Sequence, residues 1–542
     1  MRDETAAPVA DKPTNAGISA DAEIVRFLLR AQFSASAADV ASVKSLGYVD
    51  WLKAQFATAP SLSGYGWLDS KLFFVPTKEG NYFDPTWGDW MAWNQLVTGH
   101  DQVRKRLALA LSEMFVVSLD AVDGFWPPYV MAGYWDMLSN NVFGNFRTLL
   151  EDVTLNAAMG LYLNTRDNKR EDPGTGREPD ENYAREVMQL FTIGLYELNA
   201  DGTPKLDAAG RKTETYNQSD ISNLAHVFTG YAWDYSNCLY ATVPWLSYPV
   251  PTPHFARDRM AFHPTLHSGA EVNFLGTNIH GGMEGRAALK IALDTLFNHP
   301  NTGPFFCRQM IQRLVTSNPQ PAYVERVARV FADNGSGTRG DLKAVWIAIL
   351  TDEAALAPFD PAHPAIGKLR EPMIRWTQWA RTFKADSTNG KWAVGNLSGG
   401  DWALGQSPLR SPSVFNFFRP GYVPPHTAFA EAELVAPEFQ IHNESTTASY
   451  INFMSQSIKD GHADIKADYA ELMPMAPDAQ GLLDWLNLYL SASQVSPKNI
   501  ELMRSALETK PVRDDSADGD KLTRIHTAIL LVMASPEYLV QK

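Results

Sequence analysis

Residues 181–194 read ENYAREVMQLFTIG. At about 100° per residue, Tyr183, Val187, Met188, Leu190, Phe191, Ile193 and Leu195 cover an arc wider than half the helix circumference. A helix lying on a surface shows a narrower apolar stripe, so this one is expected in a core. Glu186 falls inside the apolar arc, between the directions of Ile193 and Leu190. Glu181 and Arg185 lie on the far side, four residues apart with the acid first, the favourable order for an intrahelical ion pair. Asn182 and Gln189 flank Glu186. A carboxyl among core residues costs free energy unless it is paired or neutral. Glu186 therefore has two readings. It is an acid of raised pKa, alone or as half of an acid/base pair, or it is a structural carboxylate tied to an arginine elsewhere.

Outward from this helix the periodic segments remain helical. Residues 21–33 open with an acidic first turn. Residues 36–56 read as two short helices broken near Gly47, and 103–117, 128–138 and 146–159 follow. A polar loop at 165–179 feeds the central helix. Asp201-Gly202 within 199–216 signals a turn or small hairpin. Asn217, with Asp220 three residues on, looks like an N-cap of the helix that runs to Phe228. Residues 231–285 are irregular and rich in Pro, His and aromatics; a loop of that length is usually functional. Helices resume at 285–298, 304–316, 321–332, 341–350 and 366–383. After an irregular stretch at 390–425 they continue at 446–458, 479–490, 497–508 and 522–534. No βαβ rhythm and no internal repeat appear. The expected fold is mainly α: a disordered lead-in at 1–20, then one large multi-helical domain at 21–542 with long ordered loops and at most a small β-hairpin.

Composition bounds the function. The chain has 542 residues and a net charge of −14, which argues against a dedicated nucleic-acid binder and against docking on anionic membranes. No apolar run is long enough to span a bilayer. The first residues carry no signal-peptide core and no twin arginine. Cys238 and Cys307 are too few for a disulfide framework and leave either one bridge or two buried thiols. Trp67, Trp87, Trp90 and Trp93 cluster with Tyr65, Phe73, Phe74, Tyr82 and Phe83. They form either a platform for a flat apolar ligand or aromatic core packing under a long loop.

Several stretches together resemble the bacterial family known as domain of unknown function family 1800. They are RFLLRAQF (26–33), ENYAREVMQLFTIGLYELNADGTPKLD (181–207), HVFTGY (226–231) and HSGAEVNFLG (267–276). HPNTGPFFCRQMIQRLVTSNP (299–319), DNGSGTRGDL (333–342) and LRSPSVFNFFRPGYVPP (409–425) complete the set. The resemblance implies a periplasmic or secreted protein, often encoded beside a partner resembling alkaline-phosphatase-type hydrolases. It implies no activity. Many members carry a Trp-His-x-His-Phe-like run in the third helix. Here that place reads Leu111-Ser112-Glu113-Met114-Phe115, which puts any metal site built on those histidines in doubt.

The chemistry-bearing residues are few. His263 and His267 have metal-ligand spacing for a helix, but Pro264 between them breaks a helix, so with His254 and His280 they make at most a loop site. No metal or cofactor is assigned. His267 and His299 sit in the resembling segments. His299, in a His-Pro-Asn-Thr run, also reads as turn chemistry. Asp341 is expected to cap the helix that follows it. No nucleophile elbow, Walker loop, HExxH or dinucleotide fingerprint is present. Arg410, Asn416, Arg419 and Tyr422 form a polar-aromatic loop facing a cleft. Arg419 is expected to clamp an anion or carboxylate, to pair with Glu186, or to anchor the loop. Two functions remain open. One is an exported hydrolase of an extracellular polymer such as a polysaccharide, with Glu186, Glu181 and His267 as its acid/base set and Arg185, Asn182, His299, Arg419 and Asn416 around them. The other is a non-catalytic export, assembly or surface-binding protein working with a partner.

Overall fold

Helix ends follow capping chemistry. Ser36 and Asp39 exchange side-chain and backbone hydrogen bonds in a capping box at the start of Ala37–Leu46, and Gly47, at φ +74°, separates it from Tyr48–Ala57. Asn217 and Asp220 form a second box on Gln218–Ala225. The Asp341 carboxylate accepts from the Lys343 and Ala344 amides and starts Leu342–Thr351, as its position implied.

The computed structural model describes residues 21–73, 81–242, 246–358 and 366–542. The expected lead-in at 1–20 and Phe74 lie outside these residues. The protein is mainly α. One continuous apolar core runs from Ile24 to Tyr538. At its middle lies Pro127–Asn141, whose Tyr129, Val130, Met131, Tyr134 and Trp135 are all buried. Gly64–Ser70, Thr86–Thr98, Gln102–Ser112 and Phe146–Thr154 pack around it. Each large side chain enclosed in this way contributes roughly 2–3 kcal/mol. Thr302–Leu314, Pro321–Ala332 and Leu342–Thr351 stack in succession beside this group. Ala479–Ser491 and Asp518–Met533 pack together further along the chain, with Glu444–Asp460 laid on the latter.

Three expectations need correction. The tryptophans of the aromatic cluster sit on two helices where none was expected, Gly64–Ser70 and Thr86–Thr98. Trp93 is wholly enclosed and meets Trp376 edge-on, Trp67 is buried, and Trp87 and Trp90 pack half-buried against the core, so these tryptophans are core packing, while Phe83 is exposed. Residues 146–159 break after Thr154, because the Asn156 side chain accepts from the Ala158 and Met159 amides and starts a new helix. The helix expected at 103–117 runs Gln102–Ser112 and stops there, leaving Glu113 as its C-cap.

Strands are short. Among the described residues they form five two-stranded antiparallel pairs, more than the single hairpin expected. Tyr231–Ala232 pairs with Ala261–Phe262, and Val272–Phe274 with Thr277–Ile279, which orders much of the histidine-rich stretch at 231–285. Val540–Gln541 pairs with Lys368–Leu369 and brings the end of the chain to the start of Pro372–Thr382. No helix among the described residues is long and apolar enough to cross a membrane.

Candidate functional site

The central helix is not uniform. Asn182–Glu186 is α, and Val187–Thr192 widens into a π-helix. The Thr192 hydroxyl donates to the Val187 carbonyl at 2.5 Å, and the Ile193 amide reaches Met188 five residues back. The extra residue per turn leaves Gln189 and Leu190 half-exposed while Met188 and Phe191 stay buried. π-Turns of this kind often occur where a helix must present side chains to a site. Gly194 ends the segment at φ +72°, with the Phe305 ring 2.8 Å from where a Cβ would stand.

Glu181 is a strut. Its carboxylate accepts from the Ser222 hydroxyl at 2.5 Å, from Gln218 Nε2 at 2.8 Å and from Arg185 at 3.2 Å. The Ser222 hydrogen bond is the largest influence and holds the carboxyl below its usual range. The expected Glu181–Arg185 pair is present. Glu186 is different. It is 7% exposed, and its Oε2 is enclosed without a hydrogen-bond partner. Burial raises its pKa, with Arg185 a weaker opposing influence. No ion pair joins it to Arg419 or to any other arginine among the described residues, which removes the reading of a carboxylate tied to a distant base. The Asn182 amide donates to Asp180 Oδ1 at 2.8 Å, at the helix start.

The histidines do not join these acids. His267 Nδ1 lies 3.0 Å from the Thr229 carbonyl and fastens one loop to another. Beside it, Ser268 Oγ donates to Glu171 at 2.7 Å, and both groups face His226 Nδ1, at 3.0 and 3.2 Å. Serine and carboxylate share one ring nitrogen here, whereas a nucleophilic triad places them on opposite nitrogens. His299 Nδ1 accepts from the Asn301 amide, so its role is the cap that its sequence context also allowed. His254 Nδ1 meets the Thr252 hydroxyl. Among the described residues no three His, Cys, Asp or Glu side chains are grouped so as to hold a metal ion. Glu181, Glu186 and His267 thus share no hydrogen-bond partner. The structure does not assemble them into one acid/base set.

It assembles something else. Three of the family-like segments converge on one cavity of about 630 Å³, a volume typical of small-molecule sites. The π-helix and its exit supply Gln189, Leu190, Leu195 and Tyr196; Thr302–Leu314 supplies Phe305, Arg308, Gln309 and Gln312; the 415–423 loop supplies Phe415, Arg419 and Tyr422. Of the polar-aromatic loop, Arg419 and Tyr422 face this cavity. Arg410 does not: it forms a bidentate pair with the buried Asp89 at 2.8 and 2.7 Å and also bonds Asp120, anchoring the loop to the tryptophan helix. Asn416, at φ +63°, accepts from the Ser411 hydroxyl at 2.9 Å and shapes the turn. Arg185 and Gln189 line a smaller adjoining hollow with Tyr216.

Behind the cavity lies a buried ionic cluster that periodicity alone missed. Arg313 bonds the cavity residue Gln309 at 2.5 Å and lies 3.6 Å from Glu113. Lys368 pairs with Glu438 at 3.0 Å and Glu371 at 3.5 Å, and Gln406 donates to Glu371 at 2.7 Å. Burial first, and then the Glu371 charge, push the Glu113 carboxyl well up. Burial also acts on Glu371, but Lys368 and Arg106 outweigh it and hold that carboxyl down. The two carboxyls are thereby pushed in opposite directions. The cluster's signal in the sequence was the charges of Arg106 and Glu113 inside the apolar run 103–117.

A family model described as a protein of unknown function (DUF1800) matches residues 26–540. No curated protein and no solved structure matches the chain.

Proposed function

Because the chain belongs to the DUF1800 family, whose name carries no activity, we propose from the geometry that it is a non-catalytic binding protein whose ligand enters the cavity between the π-helix, Thr302–Leu314 and the 415–423 loop. One observation carries this reading. Three segments more than 100 residues apart in sequence meet there, and no Asp, Glu, His, Ser, Cys or Lys is among the side chains that line the cavity. Such a lining offers apolar surface, amides, phenols and guanidinium groups. These suit recognition more than proton transfer. The setting belongs to the same proposal: a protein acting in the periplasm or outside the cell, beside a partner resembling alkaline-phosphatase-type hydrolases, as the family resemblance implies.

The test is occupancy of the cavity. N-Phenyl-1-naphthylamine, a neutral dye that brightens in apolar sites, is titrated into the full chain and into Leu190→Trp, which fills the lining. Saturable binding to the parent, lost in the variant at unchanged melting temperature, supports the reading. Equal binding to both chains overturns it.

A second reading keeps one specific observation in its favour. The enclosed, unpartnered carboxyl of Glu186, raised by burial, has the character of a general acid. In a hydrolase acting on a polymer such as a polysaccharide, it would be the first residue to test. Any hydrolysis found in a polymer screen should fall at least about a hundredfold in Glu186→Gln, and an unaltered rate would remove it.

A further inference from the structure

Resting on the binding reading, we infer that the ligand is an amphiphile with a single anionic head, held by Arg308 and Arg419, and an apolar body laid against the aromatic wall of the same cavity. Both guanidinium groups line the cavity, and neither forms an ion pair with a carboxylate among the described residues. Arg308 spends one donor on the Gly202 carbonyl at 3.1 Å. Arg419 lies over the Phe415 ring with its guanidinium carbon 4.9 Å from the ring centre. Nearby arginines behave otherwise: Arg185 has Glu181, Arg313 has Glu113 and Arg410 has Asp89.

Arg308, half-buried in a mostly apolar site without a counter-charge, is held unfavourably until an anion arrives, and the exposed Arg419 on the same lining adds a second guanidinium fork for that anion. Burial already weakens the hold of Arg308 on its proton, so an incoming anion recovers that cost as well. In a chain of net charge −14, two uncompensated cations on one cavity favour an anion over a cation or a neutral polar group. The rest of the lining sets the body of the ligand. Leu190, Leu195 and Phe305 leave room for an alkyl chain or ring and offer it no hydrogen bond. Guanidinium forks accept carboxylate and phosphate alike, so the shared chemistry is the anionic head on an apolar stem.

The experiment uses the full chain and three probes with one stem: decanoate, decyl phosphate and decanamide. Affinity is read by displacement of N-phenyl-1-naphthylamine and by calorimetry. At least one anionic probe should bind about tenfold or more tighter than the amide, and the tighter of the two identifies the head. Arg308→Met with Arg419→Met should remove that advantage and leave the amide within about twofold of its parent affinity. Equal binding of all three probes, or an advantage that survives the double variant, overturns the anionic head while the cavity stands. Binding of the dye without displacement by any probe also overturns the ligand class. Failure of the dye itself, judged against Leu190→Trp, overturns the binding reading first.

Discussion

Asn301 holds Tyr196 across a gap of more than 100 residues: its Nδ2 donates to the Tyr196 carbonyl at 2.8 Å, and also to that of Ile193 at 2.8 Å. Its Oδ1 accepts from the Leu198 amide at 2.9 Å, so one buried carboxamide satisfies three backbone groups of the π-helix exit. Leu195, Tyr196 and Leu198, which line the cavity, are positioned by this clamp.

Replacing Asn301 by Leu should therefore destabilise the protein by about 2–3 kcal/mol, since one buried and two partly buried backbone groups lose their partner. Urea unfolding measures the change. Dye affinity should fall with it even at temperatures where the variant is fully folded. A variant of parental stability and affinity would show that water replaces the clamp.

Gly194 is required twice over, by its φ of +72° and by the Phe305 ring 2.8 Å from a Cβ position. Gly194→Ala should cost about 2 kcal/mol, of which about 1 is backbone strain. In a double-variant cycle, Phe305→Leu should return the steric part and leave the backbone part. Additive effects would show that the ring already moves aside.

The buried Glu113–Glu371 pair predicts a pH dependence of definite sign. Glu113 has a folded pKa well above its ordinary 4.5, so its stabilisation is complete below about pH 4.5 and is lost as pH rises towards the folded value. Glu371 is held below 4.5 and works in the opposite sense, losing its contribution as pH falls through its folded pKa. Glu113→Gln imitates the neutral acid. Its stability relative to the parent should rise with pH above about 4.5, by up to about 1.4 kcal/mol per unit. Chemical unfolding from pH 4 to 8 reads this directly, and a flat difference would mean that Glu113 is ionised in the folded protein.

Arg410 and Asp89 form a buried bidentate pair, 8% and 3% exposed at the side chain. Arg410→Met should cost about 3–5 kcal/mol because Asp89 is left charged and enclosed. Adding Asp89→Leu should restore much of it. Failure of the second change to help would mean that the loop relaxes and lets water reach Asp89.

Cys238 and Cys307 are both free, which settles the choice left open between a bridge and two thiols. Burial raises both thiols; Cys307 is fully enclosed, and Cys238 is half-buried with its Sγ 3.3 Å from the Thr252 carbonyl. In the native protein, a maleimide should modify Cys238 slowly and Cys307 only after unfolding. Peptide mass mapping distinguishes them, and early labelling at Cys307 would reveal local opening of its helix.

Much of this was legible in the chain, because short-range physics writes it there. Caps at Asn217 and Asp341, the break at Gly47 and the Glu181–Arg185 pair each depend on a few adjacent residues. The mainly α class and the enclosed character of Glu186 follow from apolar spacing alone. Arg419 stood out as an arginine in a loop of the kind that faces a cleft. The tryptophan helices were missed because aromatic and apolar residues occur nearly all round them, so no stripe marks a 3.6-residue period.

The sequence by itself determined most of the helical segments, where several begin and end, and which family the chain resembles. Only the tertiary structure decided that the hallmark helix passes into a π-turn. That register reflects the packing of Gly194 on Phe305 and the grip of Asn301 on Tyr196, contacts that span more than 100 residues. Only the tertiary structure separated Glu186 from His267, turned Glu181 into a strut, and brought Arg308 and Arg419 to one cavity. Local propensity acts over one or two turns of chain, whereas a site is set by how distant faces close on one another.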